Sequence, residues 1–224
     1  MTTAKPNIVL IMTDQQRADF FASEGFPVDT MPFVEALGRT GTRFSKAYTP
    51  MPTCTPARSS MLTGRFPKAS RVKQNWSPAE SITFSKDMPG MFRDAGYSFN
   101  IAGKNHSYLG ADQFDFHGGP YSHTNGPVDR ANAGEKAFDQ WLVELDHTVA
   151  GTATPFPLEN QLCHRIVSDA IACVDRNGDK PFFLWLSLPE PHNPYQAPEP
   201  YYSMFSPDQM PERVGSPQSS AARG

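Results

Sequence analysis

Cys54 opens the run Cys54-Thr55-Pro56-Ala57-Arg58, and two serines later comes Met61-Leu62-Thr63-Gly64-Arg65. Thr55 as N-cap and Pro56 as first helical residue predict a helix that Gly64 ends. A thiol ahead of that helix sits in the positive field of its N-terminus, with Arg58 one turn on. Both features lower a thiol pKa, so Cys54 is a candidate thiolate nucleophile. The competing reading is a half-buried cysteine with no role. Asp14 and Gln15 offer hard oxygen ligands to Ca²⁺ or Mg²⁺, unless Asp14 only caps a helix. Lys104 and His106 alternate, and on an extended segment both face one side. A cation beside a group that titrates near neutrality suits an anionic substrate and proton transfer. The alternative is a solvated lysine and a structural histidine. His192 stands among prolines that fix its direction. His117, His123, His147 and His164 lack such a context and read as surface residues. The chain has no HExxH, CxxC, GxSxG or phosphate-binding glycine loop.

The elements that must position these residues alternate between strand and helix. Ile8–Met12 is a continuous apolar run that fits a buried parallel strand, and Asp14 follows it. Pro32 opens a short helix with Phe33, Val34 and Leu37 inward, closed by Gly38 or Gly41. A second strand is expected over 42–49, and a helix over 87–95 stopped by Gly96. A strand over 97–102 leads straight into Gly103-Lys104-Asn105-His106. Residues 117–124 read as loop and 130–145 as helix, with Phe138, Trp141, Leu142 and Leu145 on one side. The next helix, 158–174, carries a stripe of Leu162, Ile166, Ala170, Ile171 and Val174. Phe182–Leu188 is the strongest strand, and Pro189-Glu190-Pro191-His192 follows it. Buried strands alternating with helices predict an α/β fold, a mainly parallel sheet with helices on both faces. In such folds ligands collect beyond the carboxyl ends of the strands. The Asp14, Lys104/His106 and His192 clusters all fall there.

Composition narrows the partners. The chain has 224 residues, a formal charge of −3 and 38% hydrophobic residues, which suits one good-sized globular domain. No basic block marks a nucleic-acid partner, and no stretch is long enough to span a bilayer. The N-terminal apolar run is too short for a signal peptide, so the expectation is cytoplasmic, with a periplasmic or secreted location as the alternative. Three cysteines cannot all pair within the chain. Cys163 and Cys173 lie about 15 Å apart along one predicted helix, beyond disulfide reach, and read as small buried apolar residues.

Four motifs together resemble those of the type I sulfatases, within the alkaline-phosphatase-like superfamily. They are the opening KPNIVLIMTDQQR, the Cys54–Arg65 run, AGKNHSYLG and PFFLWLSLPEPHNPYQAP. They stand in the family's order over residues 5–200. The resemblance implies that Cys54 is oxidised by a formylglycine-generating enzyme to an aldehyde, whose hydrate attacks the sulfur of a sulfate ester. It implies Ca²⁺, with Mg²⁺ or Mn²⁺ as alternatives, held by Asp14, Gln15 and the modified Cys54. Arg58 would stabilise the hydrated aldehyde, and Lys104 would hold sulfate oxygens. His106 would assist proton loss, and His192 would contact the sulfate and leaving oxygen as general acid. Asn75 would face the substrate, a small-molecule or sugar sulfate ester. Two alternatives accompany this reading: a phosphonate monoester or phosphodiester hydrolase, and a non-catalytic remnant.

Members of that family are about twice this long, and their second half completes the metal site. Asp208-Gln209 is the only late pair here, and no apolar strand precedes it. Residues 1–206 are therefore expected to be the N-terminal part of a sulfatase catalytic domain, and 207–224 a disordered tail.

Overall fold

The computed structural model describes residues 5–75, 82–121 and 128–212. The chain divides into two compact units: residues 1–16 with 46–198, and residues 17–45 with 199–224.

The first unit is built on four parallel strands in the order β1-β4-β2-β3: β1 Ile8–Met12, β2 Ser98–Gly103, β3 Phe116–Gly118 and β4 Phe182–Ser187. The alternation of side chains across a strand sends Phe183 and Trp185 to one face. There they pack with Phe99, Ile101, Leu62 and Val72, and with the inward residues Ile8, Leu10 and Met12 of β1. The opposite face carries Phe182, Leu184 and Ala102. Helices α5 (Ala133–Leu145) and α6 (Leu162–Asn177) cover it through Phe138, Leu142, Leu162, Ile166, Ala170 and Cys173. The expected α/β architecture is present.

The other helices of this unit are α2 (Cys54–Thr63), α3 (Pro67–Ser70) and α4 (Met88–Asp94). Asp87 caps α4 by accepting from the Gly90 amide, and Asn132 caps α5 in a reciprocal box with Glu135. Gly64 ends α2 at φ 64°, a left-handed geometry that glycine adopts without a Cβ clash.

Several expectations shift. β1 is covered on one face only: Ile8, Leu10 and Met12 pack on the core, while Val9 and Ile11 are 48% and 60% exposed. No strand forms over 42–49. His117 belongs to β3 rather than to a loop, while 122–124 lie outside the described residues. On α6 the buried stripe continues from Ala170 to Cys173, and Ile171 and Val174 turn outward. The helical period decides this, because 162, 166, 170 and 173 stay on one face whereas 171 and 174 rotate off it.

In the second unit, α1 (Pro32–Thr40) begins at its proline and ends against Gly41. Its stripe does not point inward: Phe33, Val34 and Leu37 are 89%, 45% and 66% exposed. The Glu35 carboxylate accepts from the Ser23 amide and hydroxyl, and Arg43 pairs with Glu24. Pro207–Gln209 forms a 3-10 turn capped by Ser206, and residues 213–224 of the expected tail lie outside the described residues.

Gly103 ends β2 at φ 109°, and a Cβ there would collide with the Ser187 carbonyl. Gly64 has open space around it. Gly103→Ala should therefore cost about 3 kcal/mol and Gly64→Ala about 1 kcal/mol. Urea unfolding midpoints of the two variants check that order, and equal losses would refute it.

Candidate active site

Asp14 stands two residues beyond the end of β1, and its amide donates to the Glu190 carbonyl at 3.2 Å. Lys104 follows β2 directly, and its amide extends the ladder by donating to the Ser187 carbonyl at 2.9 Å. Parallel pairing of β1 and β2 with β4 brings the polar residues beyond all three strands together. The Lys104 ammonium lies 2.6 Å from Asp14 Oδ2, and an Arg58 guanidinium nitrogen lies 3.2 Å from the same oxygen. All three residues are buried, at 9%, 6% and 3% exposure for Asp14, Lys104 and Arg58.

Arg58 is braced on every side. It donates to the Lys104 carbonyl at 2.8 Å and to Ser187 Oγ at 2.7 Å, and lies 5.4 Å from the centre of the Trp185 ring. Burial draws its pKa down, against the opposing pull of Asp14; an arginine remains charged regardless. Burial would raise the Asp14 pKa, but the Lys104 hydrogen bond and charge, then Arg58 and His192, outweigh it and hold the carboxyl below its ordinary range.

Cys54 is the first residue of α2. The N-cap is Thr53, not Thr55, and its side chain makes no capping bond. Pro56 fits inside the first turn because the amide it lacks would have no helical partner there. The Thr55 amide is satisfied from outside the helix by Asn75 Oδ1 at 3.0 Å. Asn75 thus braces the cysteine-bearing turn. Cys54 Sγ lies 3.7 and 3.9 Å from the two Asp14 oxygens and 3.8 Å from the Lys104 ammonium.

His192 closes the group. Its ring Nδ1 lies 2.5 Å from the Asn193 carbonyl; a carbonyl only accepts, so Nδ1 is the donor in that contact. Asp14, Cys54 and His192 each present a ligand atom, all within 4.8 Å of one another. Asp14, Gln15, Cys54, Arg58 and His192 line a cavity of about 1370 Å³, together with Tyr48, Met61 and Phe66.

His106 departs from the expected extended geometry. Its φ is 41°, in the left-handed region, so the Lys104–His106 alternation does not hold. The turn is tied by Ser107 Oγ to Asn105 Oδ1 and by Asn105 Nδ2 to the Leu109 carbonyl. The ring reaches solvent. Partial burial, then repulsion by Lys104 and Arg58, lower its pKa, which favours the neutral ring. Gln15 is exposed at φ 60°. Two non-glycine residues in this strained region beside one site match the way such strain gathers at functional centres.

Sequence reasoning missed several supporting residues. Ser187 and Trp185 hold Arg58, and their only signal was their place near the end of β4. The Cys163 thiol lies 2.8 Å from Glu190 Oε2, so it is no inert apolar group. Burial, then the neighbouring carboxylate, raise its pKa. His147 is exposed, as read from the sequence, and its ring lies 6.2 Å from that of His192.

A parallel α/β sheet thus gathers a cysteine at a helix start, two buried cations and a histidine beyond its strand ends. The chain belongs to the sulfatase family, whose model, described as Sulfatase, matches residues 6–216. It is 28% identical to an arylsulfatase of Clostridium perfringens over 93% of this chain and 48% of that protein. It is 30% identical to a choline-sulfatase of Rhizobium meliloti over 92% of this chain and 42% of that protein. The chain therefore spans less than half the length of either relative. In fold it matches the phosphonate monoester hydrolase of Agrobacterium radiobacter with a TM-score of 0.73 at 22% identity, over 98% of this chain and 48% of that one. Among the described residues, no helix is long and apolar enough to cross a membrane.

Asp14→Asn leaves Lys104 and Arg58 without their shared charge and should cost about 3–5 kcal/mol at neutral pH. The sign follows from a folded pKa below the ordinary 3.8. The carboxylate's contribution is complete above its unfolded pKa and is lost as pH falls through the lower folded value. Urea unfolding of both proteins from pH 7 downward checks this: the gap should narrow in acid, and a constant gap would count against it.

Proposed function

We propose that this chain carries the catalytic centre of a sulfuric ester hydrolase whose nucleophile is formylglycine made from Cys54. The observation that supports this most is the convergence of Cys54, Lys104 and Arg58 on one buried carboxylate beneath an open cavity. A sulfate monoester is an anion whose transition state spreads charge over its non-bridging oxygens, and fixed cations stabilise that charge without reorganising.

Formylglycine would supply an oxygen nucleophile that is regenerated after each turnover. The chain's own residues do the rest. Lys104 binds the sulfate oxygens, and Asp14 keeps its ammonium in place. Arg58 orients the residue at position 54, locked by Ser187 and Trp185. His192, as an imidazolium, gives its Nε2 proton to the leaving oxygen, its ring fixed through Nδ1 by the Asn193 carbonyl. His106, whose pKa is lowered by partial burial and then by Lys104 and Arg58, accepts a proton at the nucleophile. Asn75 holds the first turn of α2. The substrate would be a small-molecule or sugar sulfate ester.

Calcium fits this chain only in part. Ca²⁺ takes six to eight oxygens, whereas Asp14 is the one carboxylate in the cluster and its partners are sulfur and nitrogen. Gln15 adds an amide oxygen at most. A complete oxygen cage needs residues beyond these, and the relatives that this chain matches are more than twice its span.

Three measurements test the reading. Co-expression with a formylglycine-generating enzyme should convert Cys54, shown by the mass of its tryptic peptide; an alkylatable thiol after co-expression would sink the proposal. Sulfate should raise the thermal midpoint of the chain by mass action, and Lys104→Met should weaken that binding by about tenfold or more. The chain alone should hydrolyse aryl sulfates barely if at all. Vigorous turnover by residues 1–224 would contradict this, and faster turnover of an aryl phosphonate would move the substrate class.

A further inference from the structure

The donors around Cys54 fit a softer ion better than they fit calcium. A carboxylate oxygen, a thiolate sulfur and an imidazole nitrogen are the three donor types that Zn²⁺ takes in tetrahedral sites. Ordinary Zn–S and Zn–N/O bonds of about 2.3 and 2.0 Å place two donors on one tetrahedral ion roughly 3.3–3.6 Å apart. The Cys54 sulfur lies 3.7 and 3.9 Å from the Asp14 oxygens, so a small contraction completes that pair.

The orientations agree. Lys104 and Arg58 both address Oδ2 of Asp14, so Oδ1 is the oxygen able to turn toward an ion. His192 Nδ1 lies 2.5 Å from the Asn193 carbonyl, to which it can only donate. Metal-bound histidines are held in this way, one nitrogen on a backbone carbonyl and the other on the ion. The loop that carries His192 is itself tied down, because Asn193 Nδ2 donates to the His147 carbonyl at 2.9 Å. The competitor is Lys104, whose ammonium contacts both the carboxylate and the sulfur.

We propose that the chain with Cys54 still a thiol binds one Zn²⁺ through Asp14, Cys54 and His192, with water as fourth ligand. Binding breaks the S–H bond, forms a sulfur–zinc bond and releases the proton to solvent. This site belongs to the thiol form and does not depend on sulfate hydrolysis. Lys104 separates the two readings: removing its charge should weaken sulfate binding but tighten zinc binding.

The test uses the whole reduced chain, with Cys54 verified as a thiol by peptide mass, and Co²⁺ as a visible probe. The expected result is a sulfur-to-cobalt charge-transfer band in the near ultraviolet, together with ligand-field bands of tetrahedral intensity. One equivalent of Zn²⁺ should bleach both, and a large excess of Ca²⁺ should not. Cys54→Ala should abolish the charge-transfer band although Cys163 and Cys173 remain. His192→Ala should lower zinc affinity about tenfold or more, and Lys104→Met should raise it. If a variant fails to fold, the unmodified protein still decides: Zn²⁺ should slow alkylation of Cys54 by iodoacetamide and leave Cys163 unaffected. Absence of the band, its survival in Cys54→Ala, bleaching by Ca²⁺ equal to that by Zn²⁺, or unprotected Cys54 would each overturn the proposal.

Discussion

One carboxylate shared by two buried cations governs this centre. Asp14 lies beyond β1, Lys104 directly after β2 and Arg58 on α2, and they meet with all three side chains nearly out of water. Desolvating such charges costs several kcal/mol per ion, and the cost is offset only when geometry and further hydrogen bonds are good. Here they are: Arg58 also reaches the Lys104 carbonyl and Ser187, and Lys104 is held through its amide by β4. The cluster carries one more fixed positive charge than negative. An anion is therefore a natural complement to it.

The rest of the site is arranged so that this charge stays put. Trp185 is fully buried beneath Arg58, and a cation over a desolvated indole is worth up to about 2 kcal/mol. Lysine at position 58 could not reproduce the planar set of donors that reaches Asp14, Ser187 and a carbonyl at once. Gly103 lets β2 end close against β4, so that Lys104 leaves the strand beside Ser187. Backbone shape, rather than side-chain reach, sets the lysine's position. Asn75 performs a similar service for Cys54 by holding the Thr55 amide.

Much of this was legible in the chain. The strand runs 8–12, 98–102 and 182–187, the stops at Gly64 and Gly96, and the polar residues after each strand follow from periodicity and turn chemistry. What misled was local patterning that assumed a partner. The apolar run of β1 reads as buried on both faces, yet only the face of Ile8, Leu10 and Met12 is covered, and Val9 and Ile11 are exposed. The stripe of α1 reads as inward, yet Phe33 is 89% exposed. Amphipathicity records what a segment can bury against, not whether a cover is present. Residues 42–49 had strand propensity yet form no strand, and propensity alone does not make a ladder.

By itself the sequence determined the class of fold, the family, and the candidate groups Asp14, Cys54, Arg58, Lys104 and His192, because residue type and motif order are local properties of the chain. Tertiary structure alone decided how those groups face one another. It set Lys104 against Asp14 across 90 residues of chain. It turned His106 out of the extended path, placed Ser187 and Trp185 behind Arg58, and joined the Cys163 thiol to Glu190. Those contacts depend on strand order and register in a parallel sheet, which bring together residues that no local spacing relates.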